Sequence, residues 1–314
     1  MSGGERRHVY GPVPSRRLGR SLGVDLVPFK TCSYDCTYCQ LGRTTHQTLE
    51  RQSFVPAGKV LAELEEVLAA HPAPDYISLA GSGEPTLCAD IGELIVGIKS
   101  RTRVPVAVLT NGSLLWKREV QDALLEADLI LPSLDAGDAA LFALVNRPHP
   151  AIGFDPMVEG LITFRERFAR AVWLEVMLVA GVTGIRAEVE KIAALAARIS
   201  PARVQLNTVT RPPCEEFAFP VPPERLAGFA ALFSGRVEVV SESRARRRKS
   251  PILAPATDAD ILALLGRRPC TAHGIAEGLG LHVGEVVKRI DLLADQGKVA
   301  SIRKDGAVFF EAVR

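Results

Sequence analysis

Between residues 22 and 208, short apolar runs alternate with longer segments whose apolar positions recur every three or four residues. That alternation predicts β-α units around a largely parallel sheet. The strand-like runs are residues 22–27, 76–80, 104–109, 129–131, 172–179 and 204–208. Val60, Leu61, Leu64, Val67 and Leu68 repeat at helical spacing after the first run, as do Ile91, Leu94, Ile95 and Ile98 before the third. Such stripes are core-facing sides of amphipathic helices. Parallel units in this number predict an α/β fold curled into a partial (β/α)6 barrel, an open relative of the closed (β/α)8 barrel.

The pattern changes after residue 243. Ser250-Pro251-Ile252-Leu253-Ala254-Pro255 reads as a linker, because proline disfavours helix in itself and in the residue before it. Three helical patterns follow at residues 258–265, 271–279 and 283–296, with Thr271 and Gly280 as cap and stop of the second. Two strand-like segments, 299–303 and 308–312, flank the turn signal Lys304-Asp305-Gly306. Helix-helix-helix-hairpin resembles a small winged-helix domain with 283–296 in the recognition position. The expected division is a barrel at 1–243, a basic, proline-containing linker at 244–256 and a winged-helix-like domain at 257–314. The last of these is expected to fold on its own and to hold no cofactor ligand.

Composition narrows the class without naming a chemistry. With 47% hydrophobic residues and 24% charged ones over 314 residues, the chain is globular rather than disordered. A net charge of +2 argues neither for nor against nucleic acid, although Arg244-Ala245-Arg246-Arg247-Arg248-Lys249 concentrates cations in the linker. The third helix of the tail offers Lys288 and Arg289 but also Glu285, Asp291 and Asp295, an indifferent surface for a phosphate backbone. Six cysteines without a disulfide-like framework fit a reducing compartment. No signal-peptide pattern or bilayer-length apolar run is evident, so a cytoplasmic location without membrane attachment is expected.

The chemistry is concentrated in Cys32-Ser33-Tyr34-Asp35-Cys36-Thr37-Tyr38-Cys39. Three thiolates on one short loop can hold three corners of a cubane iron-sulfur cluster, and full cysteine ligation is the usual arrangement. A missing fourth ligand leaves one iron open to a substrate. Zinc is the competing reading, since Cys36 and Cys39 form a zinc half-site. Cys88, Cys214 and Cys270 stand singly and supply no second pair.

In a β/α barrel the active site lies at the C-terminal ends of the strands. The cysteine loop follows the first strand-like run, and Gly81-Ser82-Gly83-Glu84-Pro85-Thr86 follows the second. Thr110-Asn111-Gly112 follows the third, Ser133 and Asp135 the fourth, and Asn207, Thr208 and Arg211 the sixth. One such loop could be a turn and nothing more; five in succession mark a site.

The Cys-x3-Cys-x2-Cys spacing, with Tyr38 before the last cysteine, resembles the signature of the radical S-adenosylmethionine (SAM) superfamily. The resemblance implies that Cys32, Cys36 and Cys39 ligate a 4Fe-4S cluster whose open iron chelates the amino and carboxylate groups of SAM. It implies that Tyr38 packs near the adenine and that Gly81, Ser82, Gly83 and Glu84 hold the SAM amino group, with Ser82 in place of a glycine. Ser133 and Asp135 fall where ribose contacts are made, and Asn111 completes the cofactor set. Together with residues 11–25, Gly83-Glu84-Pro85-Thr86-Leu87 and Thr110-Asn111-Gly112 look like the branch containing the wyosine-synthesis enzymes of tRNA. Those carry a second upstream cysteine cluster, and no cysteine precedes Cys32 here.

The resemblance therefore implies reductive cleavage of SAM to a 5'-deoxyadenosyl radical that abstracts hydrogen from a substrate. It further implies an electron donor such as flavodoxin or ferredoxin, and a substrate that is a tRNA base, a peptide or protein side chain, or a small metabolite. An iron-sulfur redox sensor that binds DNA through the tail is the alternative. Arg16, Arg17 and Arg20 could bind a substrate phosphate or carboxylate, or else be solvated charges or pair with Asp25 and Glu84.

Overall fold

The computed structural model describes residues 7–70, 73–240, 256–304 and 306–313; the basic run at 244–249 and the linker prolines lie outside them. The strands are β1 (Val9–Ser15), β2 (Gly19–Val24), β3 (Thr31–Cys32), β4 (His46–Gln47), β5 (Tyr76–Leu79), β6 (Val106–Thr110) and β7 (Leu129–Pro132). They continue with β8 (Ala171–Leu178), β9 (Arg203–Thr208), β10 (Val237–Val239), β11 (Val299–Lys304) and β12 (Ala307–Ala312). Among the described residues, one eight-stranded sheet has the order β1-β2-β5-β6-β7-β8-β9-β10. Only the β1–β2 pair is antiparallel; β2, β5 to β9 and β10 run parallel.

The six parallel strands expected from the sequence are β2 and β5 to β9, in chain order across the sheet. Their near-continuous burial in β5 and β7 reflects a sheet covered on both faces. The helices that cover it are α1 (Ala57–Ala70), α2 (Ile91–Arg101), α3 (Arg118–Leu124), α4 (Ala139–Val145), α5 (Phe154–Arg167), α6 (Arg186–Ile199) and α7 (Pro223–Ala230). α1 buries Val60, Leu61, Leu64 and Val67, and α2 buries Ile91, Leu94, Ile95 and Ile98, which are the stripes read from spacing. The fold is thus an α/β arrangement on a mostly parallel sheet.

Two strands are additions to the expected set. β1 forms a hairpin with β2, and β10 extends the sheet beyond β9. The tip of the hairpin reaches across the sheet: Leu18 is buried with Ala107, Leu129 and Leu131 of β6 and β7. Beside it, the Arg17 guanidinium pairs with Glu175 on β8.

The tail comprises α8 (Asp258–Leu265), α9 (Ala272–Leu279), α10 (Val283–Asp295) and the β11–β12 antiparallel hairpin. Thr257 closes a capping box with Asp260 at the start of α8. Thr271 caps α9, and Gly280 ends it with φ 66°. These elements share their own core of Ile261, Leu264, Leu265, Ile275, Val286, Ile290 and Leu293, against which Val13 of β1 packs. The tail therefore docks on the edge of the main sheet.

Candidate functional site

The loop after β2 carries the three cysteines, and each thiol has a nitrogen donor of its own. Lys30 Nζ donates to Cys39 Sγ at 3.3 Å, Asn111 Nδ2 to Cys32 Sγ at 3.7 Å and Asn146 Nδ2 to Cys36 Sγ at 3.7 Å. Lys30 is 3% exposed, and a buried ammonium needs such an anionic or acceptor partner. Burial pushes the Cys32 thiol up to about 12, with the Glu84 carboxylate adding to the effect, and it raises Cys36 well above the usual range. Cationic iron would offset that cost, because metal binding requires the thiolate and releases its proton.

The loop after β5 is locked beneath this one. Ser82 donates twice to Asp25, from N at 3.0 Å and from Oγ at 2.6 Å. A Cβ on Gly83 would stand 1.8 Å from the Thr31 carbonyl oxygen, so only glycine lets the loop pass under the cysteine strand. Glu84 Oε1 accepts from Thr86 N, Thr86 Oγ1 and Thr110 Oγ1, while Oε2 accepts from Asn111 N at 2.7 Å. Glu84 thereby ties the ends of β5 and β6 together. A carboxylate has roughly four acceptor positions, so Oε2 retains capacity for one more donor. Burial nevertheless raises the Glu84 carboxyl.

Asp135 follows β7, as expected, and is engaged by its neighbours. It is 3% exposed and stands behind Tyr38 rather than on the cavity surface: Oδ2 accepts from the Tyr38 hydroxyl and from Asn146 Nδ2, and Oδ1 from Met177 N. Its geometry is that of a support for Tyr38, and burial raises its carboxyl to about 6.

Cys32, Cys36, Tyr38, Cys39, residues 81–84, Asn111 and Ser133 all line one cavity of about 390 Å³. Of the residues expected to hold the cluster or SAM, only Asp135 is outside that lining. The cavity is also bounded by Arg16 and Arg17 of the hairpin tip, Glu175 and Met177 of β8, Arg211, and Leu264, Arg267 and Arg268 of the tail. Arg17 pairs with Glu175, which also accepts from Asn207 Nδ2 at 2.8 Å; neither Asp25 nor Glu84 is its partner. Tyr34 also lines the cavity, and its hydroxyl is buried without a hydrogen-bond partner among the described residues.

A three-thiolate donor set, supplemented by a spare carboxylate lone pair on Glu84, fits an iron-sulfur cluster with a polar ligand at its open corner. Among the described residues no three His, Cys, Asp or Glu side chains converge as on a single metal ion. Cys88 is fully buried in the main core and Cys270 in that of the tail, as small apolar residues. Cys214 is half-buried next to Glu215.

Sequence reasoning passed over Lys30, Asn146, Arg267 and Arg268. Lys30 was within reach, two residues before Cys32. Asn146 belongs to the Asn146-Arg147-Pro148-His149 outlet of the fourth strand-helix unit. Nothing in the local sequence ties Arg267 and Arg268 to residues some 240 positions earlier.

A family model described as Radical SAM superfamily matches residues 26–196. A UPF0026 protein of Methanocaldococcus jannaschii is 30% identical over 309 residues, covering 96% of this chain and 95% of that protein. A protein of Brachyspira hyodysenteriae named GTPase Obg is 40% identical over 297 residues, which are 93% of this chain but 43% of that protein's own length. The chain thus spans less than half of that relative. In fold, the chain is similar to a radical SAM methyltransferase from Sphaerobacter thermophilus, with TM-score 0.53 at 18% identity over 70% of this chain and 65% of the other. It is similar also to Streptococcus suis SuiB bound to S-adenosylmethionine, with TM-score 0.52 at 15% identity over 70% of this chain and 50% of the other.

Proposed function

Because the chain belongs to the radical SAM superfamily, with UPF0026 proteins among its relatives, we propose that it is an enzyme that binds a 4Fe-4S cluster through Cys32, Cys36 and Cys39 and cleaves SAM reductively. The observation that carries this reading is the convergence of those three thiols, the Gly81–Glu84 loop and Ser133 on one cavity. When bound and reduced, the cluster supplies the electron that breaks the sulfonium of SAM and yields a 5'-deoxyadenosyl radical for hydrogen abstraction.

The side chains bind, orient and exclude. Lys30, Asn111 and Asn146 direct N–H groups at the thiolates, which favours charge on sulfur. Glu84 Oε2 accepts the ammonium of the methionine moiety. Tyr38, held by Asp135 and Asn146, gives the adenine a fixed apolar face, and Asn111 and Ser133 offer polar contacts at the cavity wall. The sheet curls as a partial barrel around this space, a reading supported by the reach of Leu18 and Arg17 across to β6, β7 and β8. A small electron carrier of the flavodoxin or ferredoxin kind reduces the cluster.

The tail reads as a winged-helix-like domain. A DNA-binding regulator is the weaker reading, because α10's Arg289 is engaged within the tail by Ala256, Asp258 and Glu285. The test is anaerobic reconstitution. The protein is expected to take up about four irons and four sulfides, and Cys32→Ala, Cys36→Ala and Cys39→Ala are each expected to lose them. A single zinc in the wild type, or a cluster retained in any variant, contradicts the assignment.

A further inference from the structure

Lys30 sits where a lysine is disfavoured twice over. It occupies the third position of a turn over residues 28–31, closed by Thr31 N donating to Pro28 O at 3.1 Å, and its φ is 59°. Glycine or asparagine fills such a position with least strain, whereas a long side chain there crowds its own backbone. Neighbours hold it in place: Lys30 N donates to Ser82 O at 2.7 Å, and Lys30 O accepts from Thr45 N and His46 N at 3.2 and 3.1 Å. The side chain is also buried, which forfeits rotamer freedom and the hydration of its charge. Strain and burial at one position point to a role for the ammonium.

What it touches defines that role. Among the described residues, Lys30 Nζ forms no ion pair with a carboxylate and donates to Cys39 Sγ at 3.3 Å. The Cys32 and Cys36 thiols receive instead the neutral amides of Asn111 and Asn146, at 3.7 Å each. Of the three sulfurs, Cys39 is thus the one given a charged donor.

Resting on the reading of the three thiols as cluster ligands, we propose that Lys30 is a positioning residue for electron transfer, raising the reduction potential of the cluster through Cys39. In that step one electron passes from the small electron carrier to the cluster, no bond is made or broken, and the thiolate-bound assembly gains one negative charge. An ammonium in contact with a ligand sulfur stabilises the more negative state, since hydrogen bonds to sulfur and net local charge set such potentials. Its burial makes the effect larger than it would be in water. The two asparagines orient their thiolates without supplying this charge.

The test is redox potentiometry of cluster-loaded, full-length protein without SAM, read from the electron paramagnetic resonance signal of the reduced cluster. Lys30→Met, which keeps the length of the side chain and removes its charge, is expected to make the cluster at least tenfold harder to reduce, a fall of about 59 mV for a one-electron couple. Lys30→Arg, which keeps the charge, should stay nearer to wild type. Lys30→Gly suits the backbone conformation and should show the same fall as Lys30→Met, which loss of a residue that merely builds the turn would not produce. Arg186→Gln, at an exposed cation on α6, should match wild type. Potentials of Lys30→Met and Lys30→Gly equal to that of wild type would overturn the inference. Loss of the cluster from both would do so too, making Lys30 an assembly residue. Weaker SAM binding by Lys30→Met at unchanged potential would reassign the ammonium to the methionine carboxylate. A wild type that takes up no cluster overturns the ligand reading itself, whereas a loaded wild type whose potential is indifferent to Lys30 leaves that reading standing.

Discussion

Glu84 has two duties, tying β5 to β6 and presenting Oε2 to the cavity, and replacing it with glutamine touches both. An amide places an N–H2 group among the donors of Thr86, Thr110 and Asn111 and removes the charge that an ammonium would meet. SAM affinity of Glu84→Gln is expected to fall by roughly 10- to 100-fold, the equivalent of about 1.5–3 kcal/mol for a charge-assisted bond, with a lower melting temperature. Unchanged SAM affinity by calorimetry would show that the ammonium sits elsewhere. Asp135 allows a second prediction at this scale. Its folded-state value of about 6 lies above the usual carboxylate value, so between about pH 4 and pH 6 the native state holds more protons than the unfolded chain. Stability from this group is full below that window and is lost as pH rises through it, by up to about 3 kcal/mol at 1.36 kcal/mol per unit. Urea unfolding of cluster-free protein should show that slope, and Asp135→Asn should flatten it; identical slopes would refute the burial argument. The cysteines and residues 81–84 were legible because their spacing is a motif. The bond from the Tyr38 hydroxyl to Asp135 was not legible, because sequence gives the strand end that Asp135 follows and not that Tyr38 stands in front of it.

The loop from Gly81 to Glu84 is an element defined by what it passes beneath. With a Gly83 Cβ only 1.8 Å from the Thr31 carbonyl, Gly83→Ala must push the loop and the cysteine strand apart, at a cost of about 1–3 kcal/mol or more. Iron loading is expected to drop together with the melting temperature; full loading at wild-type stability would mean the two loops adjust independently. Strands β5 to β9 were legible as apolar runs, and α8 to α10 through Thr271, Gly280 and their periodic leucines and isoleucines. The β1–β2 hairpin was not. β1 contains Pro12 and Pro14, residues that donate no ladder bond and that an edge strand tolerates. β10 was missed because Val237–Val239 is three residues long, too short for a period to register.

At the scale of the molecule, Arg267 joins the tail to the cofactor region. Its guanidinium lies 4.0 Å from the Tyr10 ring centroid, donates to Ala263 O and Arg7 O at 2.8 Å each, and stands 4.0 Å from Asp25, which in turn holds Ser82. Tyr10 can lie there because a Cβ on Gly23 would fall 2.1 Å from its ring. Arg267→Met is therefore expected to destabilise the protein by about 3 kcal/mol, as loss of one partner of a buried charge pair does, and to weaken SAM binding through Asp25 and Ser82. A loss of stability with SAM affinity unchanged would confine Arg267 to holding the tail. An independent tail free of the cofactor site was the natural reading of a proline-rich boundary, since no local pattern relates residues 267 and 10. The same docking means that removing residues 256–314 opens a wall of the cavity. The central claim, that three cysteines and this cavity make a SAM-cleaving enzyme, is tested most directly by mass spectrometry of the cluster-loaded protein incubated anaerobically with SAM and dithionite. 5'-Deoxyadenosine should accumulate with the wild type and be absent with Cys36→Ala; no 5'-deoxyadenosine from a fully iron-loaded, SAM-bound wild type would contradict the account.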